Sequence, residues 1–93
     1  MDKKKIDIVR KKLDKLDYKI LLLIKKRTTL VNEVIKIKTL KKQIVDKSRI
    51  KKVLSNIKKK SLKIRVDPKI TNSIWSSMIQ IYINYEKRKF KKK

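Results

Sequence analysis

Between Ile6 and Ile37 apolar side chains recur at alternating steps of three and four: Ile6, Val9, Leu13, Leu16, Ile20 and Leu23, then Leu30, Val34 and Ile37. That spacing is the seam of a long helix packed against other helices. No glycine or proline interrupts it. The predicted helix runs from about Lys4 to Leu40, a rod about 55 Å long at a rise of about 1.5 Å per residue. A chain of 93 residues cannot bury such a rod by itself, so the pattern predicts pairing with a second chain. One position breaks the seam. Between Leu23 and Leu30 the rhythm calls for an apolar residue, and the residue there is Arg27.

Beyond the long helix, Lys41 to Lys47 reads as a connection. Asp46 is a predicted N-cap for a second helix with Ile50, Val53, Leu54 and Ile57 on its inner face, fading near Lys63. Asp67-Pro68 predicts a third start, with Asp capping and Pro in the first turn, where no N–H is needed. That helix carries Ile70, Ile74, Trp75, Met78, Ile79, Ile81, Tyr82 and Tyr85. Trp75 is expected in the core. The basic stretch KRKFKKK, residues 87–93, is expected to be frayed and solvated. The expected fold is all-α, one long and two shorter helices in a single domain over 1–93, assembled as a homodimer. The alternative is a monomeric three-helix bundle in which the long helix breaks near Arg27.

Composition narrows the chemistry. There is no glycine and one proline, which argues against tight hairpins and β-rich folds. Without cysteine there is neither a disulfide framework nor thiol chemistry, and without histidine the usual general base is missing. The eight acidic residues are scattered, so no metal site is expected. The longest apolar run, Ile20 to Ile24, is far short of the roughly 20 residues that span a bilayer. MDKKK is followed by Asp7, Asp14 and Asp17, which does not fit a signal peptide. A soluble cytoplasmic protein is expected. A net charge of +23 attracts polyanions without specificity. Only five of the 31 basic residues are arginine, and neither base readout nor a stacking platform is visible.

An anion site fits the broken seam. Arg27 and Lys38 differ by only about 20° in helical direction and about 16 Å along the axis. Two long side chains reaching toward each other could hold a small dianion, with Val31 and Val34 as an apolar wall. Arg10 points about 100° away from Arg27 and about 25 Å along the axis. It could join that site only from the partner helix of an antiparallel dimer. The alternative is an arginine that snorkels to solvent.

These residues resemble a known pattern. IDIVRKKLDKLDYKILLLIKKRTTLVNEVIKIK resembles the first helix of the all-helical chorismate mutase family: an arginine, an acid-spaced run, a second arginine followed by Leu-Val, then a lysine. IVDKSRIKKVL resembles the start of its second helix and DPKITNSIWSSMIQIYINYE its third, so the likeness spans about residues 6 to 86. It implies an intertwined helical homodimer with two active sites, each holding chorismate, a small dicarboxylate, with no cofactor. It implies Arg10 reaching in from the other protomer, and Arg27, Lys38, Asp46, Arg49 and Glu86 from one protomer, with Val34 and Ile79 lining the pocket.

The family's reaction, the Claisen rearrangement of chorismate to prephenate in phenylalanine and tyrosine biosynthesis, needs neither a nucleophile nor a metal. The protein supplies a compact substrate conformation and charge stabilisation as the ether C–O bond breaks. By the resemblance, Arg10 and Arg27 take the carboxylates, Lys38 donates to a carboxylate and the ether oxygen, and Asp46 orients the hydroxyl. Glu86 must be protonated to donate to that oxygen, which predicts activity rising toward acid pH. Arg49 stands in the first turn of its helix against the dipole, which favours a ligand role over a solvated one. Two positions depart from the mutase pattern. Ile50 replaces a glutamate that binds the hydroxyl, and Tyr82 replaces a serine. Both resemble the isochorismate-pyruvate lyase branch, which makes salicylate and pyruvate, although core packing explains them equally. Further alternatives are a basic polyanion-binding dimer and an inactive relative that regulates a partner enzyme.

Overall fold

The computed structural model describes residues 2–91. Its elements are α1 (Lys3–Ile37), a 3-10 turn (Lys41–Ile44), α2 (Lys47–Lys63) and α3 (Pro68–Lys89), with no strand among the described residues. The expected all-α class and all three helices are present. Contacts divide the chain into two compact units after Glu33.

The first unit is the α1 rod up to Glu33. Asp2 starts it by accepting the Lys5 N–H at 3.2 Å, satisfying an amide of the open first turn. Its seam is open in the single chain: Val9, Leu13, Leu16, Ile20, Leu23 and Leu30 are each at least half exposed. Thr28 and Thr29 turn their hydroxyls onto the carbonyls of Ile24 and Lys25, at 2.9 and 3.1 Å. β-branched residues are thereby accommodated within the helix.

The second unit begins with the last turn of α1. The helix was expected to reach Leu40, but it ends at Ile37. Gln43 supplies the reason. Its side-chain oxygen accepts the N–H of both Thr39 and Leu40, each at 2.9 Å, the amides that another helical turn would have needed. Lys38 keeps the last helical bond, donating its N–H to Val34 at 3.1 Å. The 3-10 turn that follows packs on α3 and carries Ile44, only 3% exposed.

α2 and α3 begin where their caps predict. Asp46 accepts the Arg49 N–H at 3.0 Å, and Asp67 accepts the Lys69 N–H at 2.9 Å, with Pro68 opening α3. α2 closes in a Schellman motif, with the Val66 N–H on the Ser61 carbonyl at 2.9 Å and the Arg65 N–H on that of Leu62 at 3.3 Å. The left-handed residue is Arg65, at φ 61, a position usually given to glycine, which this chain lacks. Here α2 is pinned to α3. The buried Ser61 hydroxyl donates to Ile57 at 2.6 Å and shares a 2.7 Å hydrogen bond with Thr71. Ile35, Ile44 and Ile83 are the buried apolar residues. Trp75, expected in the core, is half-buried. The expected frayed tail is corrected in part: α3 continues through Lys89, and Phe90 donates its N–H to Glu86 at 2.8 Å. Lys92 and Lys93 lie outside the described residues.

Candidate active site

The second unit holds a buried ion pair. The Lys38 ammonium lies 3.5 Å from the Glu86 carboxylate, with the two side chains only 20% and 11% exposed. Burial of two charges is tolerated only when they face each other. The fold brings them together by ending α1 just before Lys38 and passing the last turns of α3 beside it. Lys38 also lines an open cavity of about 530 Å³ with Gln43, Val45, Asp46 and Lys47. Two ammonium groups, an amide and a carboxylate therefore surround a space large enough for a small organic anion.

Asp46 has a double position. One of its oxygens caps α2 through the Arg49 N–H, and the residue faces the cavity. Arg49 is exposed and Ile50 half-buried, the third and fourth residues of α2. On α3, Ile79, Tyr82 and Glu86 follow one another at steps of three and four, so they share a face. Tyr82 is half-buried and meets Tyr85 edge-on, with ring centres 6.2 Å apart. Val34, expected as an apolar wall, is 43% exposed in the single chain.

Of the residues nominated from sequence, Lys38 pairs with Glu86 and separately lines one cavity with Asp46. The placement of Lys38 inside α1 needs correction by one residue, because the helix ends at Ile37 and Lys38 follows it. Arg10 and Arg27 belong to the first unit. Arg27 is half-buried. Arg10 is exposed beside a shallow apolar hollow of about 340 Å³ formed with Lys5, Ile6, Val9 and Leu13. Sequence reasoning missed Gln43 and Lys47. Gln43 had a signal: a glutamine three residues after the start of a turn is half of a capping box.

A family model described as chorismate mutase type II matches residues 9–87. The chain belongs to that family. The matched span contains every nominated residue, from Arg10 to Glu86, and the family is one of isomerases, so the protein is an enzyme of that class. Neither the curated proteins nor the solved structures give a match. Among the described residues no group of His, Cys, Asp or Glu could hold a metal ion, and no helix is long and apolar enough to cross a membrane.

Proposed function

We propose that this protein converts chorismate to prephenate, supplying phenylalanine and tyrosine synthesis, and that it works as an intertwined homodimer. The observation that carries the reading is the largely buried Lys38–Glu86 pair, whose lysine also lines a cavity with Asp46. In the rearrangement one ether C–O bond breaks and one C–C bond forms within a single molecule, with no net proton transfer. What the protein must provide is a folded substrate pose and donors for the negative charge that grows on the ether oxygen. Lys38 supplies one donor; Glu86, paired with Lys38 in the free chain, supplies the second once the carboxylates of the bound substrate favour its protonation. Asp46 and the start of α2 orient the ring hydroxyl, with Arg49 beside them. Ile50, Ile79, Tyr82 and Val34 form the walls.

The substrate carries two carboxylates, and the second unit offers no arginine among the residues lining the cavity. Arg27 and, from the partner protomer, Arg10 complete the site. The open apolar seam of α1 supports the same arrangement. Six half-exposed aliphatic residues along one helix face make a surface that a second α1 would cover, each contributing about 0.8–1.5 kcal/mol for its exposed half.

Ile50 favours a second reading. It places a half-buried aliphatic group where hydroxyl recognition would want a carboxylate, which suits the lyase acting on isochorismate. The deciding test is turnover of the purified protein with chorismate and, separately, isochorismate between about pH 5 and 8, with products identified by NMR. Prephenate, formed faster toward acid pH, supports the mutase. Salicylate and pyruvate as the dominant products would replace it with the lyase, and no turnover of either would refute both.

A further inference from the structure

From Lys47 to Val66 the chain has nine basic residues and not one carboxylate. This is α2 and its closing turn. The whole segment from Val34 to Lys93 has only three carboxylates against 20 basic residues. Each of the three is already engaged: Asp46 caps α2, Asp67 caps α3, and Glu86 is buried against Lys38. None is left to neutralise the outer surface of α2. We propose that this surface docks the phosphate backbone of nucleic acid, without sequence preference, as a function separate from the isomerase site.

The helix geometry makes the surface a stripe. Lys52, Lys59 and Lys63 are all exposed, and at steps of seven and four they fall within about 40° of one another over about 16 Å. Lys51 and Lys58, also exposed, form a second row alongside, about 100–120° around the helix. The second row opens into a groove of about 520 Å³ between α2 and the start of α3, where Lys58 and Lys69 face Ser55 and Asn72. Ammonium groups with hydroxyl and amide donors between them are the chemistry that holds phosphates. A stripe of this length spans three to five phosphates of one duplex strand, at about 3.4 Å per phosphate. Lysine predominance and the absence of an aromatic side chain from α2 fit backbone contact rather than base reading or stacking.

Insertion into an anionic membrane would need an apolar face to enter the bilayer. The apolar face of α2, with Ile50, Val53, Leu54 and Ile57, is half-buried and α2 packs on α3. Leu62 and Ile64, exposed at its end, are too few to anchor it.

The test is fluorescence anisotropy of a labelled duplex of about 20 base pairs titrated with the full chain at several NaCl concentrations between about 50 and 200 mM. Two triple variants remove equal charge: Lys52→Gln/Lys59→Gln/Lys63→Gln, and Lys15→Gln/Lys19→Gln/Lys26→Gln on α1, where Asp14 and Asp17 lie beside the lysines. The α2 triple is expected to weaken binding at least about tenfold and to flatten the log–log salt slope by about 3, at about 0.9 per lost contact. The α1 triple is expected to change the slope by less than about 1. Equal losses in both triples would reduce the effect to net charge and overturn the stripe. No duplex binding at the lowest salt would overturn the proposal, and so would binding to phosphatidylserine vesicles in place of the duplex. Chorismate turnover by the α2 triple, unchanged from the parent, separates this function from the enzymatic one, since none of its residues belongs to the isomerase site.

Discussion

Replacing Glu86 by glutamine tests both the structural and the chemical side of the site. At 3.5 Å, and with an effective dielectric of about 20, the gross attraction between Lys38 and Glu86 is about 5 kcal/mol. Most of that offsets the desolvation of two largely buried charges. Removing one partner leaves the other without its counter-charge, which for fully buried pairs costs about 3–5 kcal/mol. The Lys38 side chain retains 20% exposure, and the glutamine oxygen can still accept its proton, so the expected loss is about 1–2 kcal/mol. For a chain of this size that lowers Tm by about 4–15 °C, read by circular dichroism.

The chemical effect runs the other way at high pH. In the proposed role Glu86 donates to the substrate's ether oxygen only in its protonated form, so wild-type kcat/KM is expected to fall as the pH rises. The glutamine amide donates at every pH. The variant should therefore show a flat profile between about pH 5 and 8 and overtake the wild type at the alkaline end. A folded variant that keeps the wild-type slope would refute the proton-donor role of Glu86. An unchanged Tm would refute the stabilising role of the pair.

Three further outcomes are expected. Arg10→Ala and Arg27→Ala should each abolish turnover, yet an equimolar mixture allowed to exchange protomers should recover about a quarter of wild-type activity, because half the dimers are mixed and each has one intact site; no recovery would place both arginines in the same protomer's site. Asp46→Ser keeps an N-cap and should hold Tm within about 2 °C while lowering kcat/KM, whereas Asp46→Ala should lower kcat/KM and also Tm by about 4–8 °C. Arg65→Gly should stabilise the chain by about 0.5–1 kcal/mol in urea unfolding, relieving a left-handed arginine; destabilisation would mean that the arginine side chain contributes there.

The helices were legible because their signals are local. Asp46 and Asp67 announce α2 and α3 by side-chain bonds reaching three and two residues ahead, and Pro68 fixes the start of α3. The end of α1 was not legible, because it depends on Gln43, whose side chain reaches back to two amides across a turn that has no strong sequence signature. That miss matters for the site. Lys38 stands just past the helix end, where the 3-10 turn folds back onto α3, and there it meets Glu86. The pairing of residues 48 positions apart is invisible to periodicity, and only the resemblance to a family nominated both for one site. The arginine in the seam is the reverse case. Its oddity is plain in the sequence, where it interrupts a run that otherwise keeps strict apolar rhythm. In the single chain the seam on either side, at Leu23 and Leu30, stays open. An apolar face left open next to a half-buried cation is the surface that the proposed second copy would cover. Arg27 therefore marks the place where assembly and catalysis must be tested together, and the exchange of Arg10 and Arg27 variants is the experiment that does so.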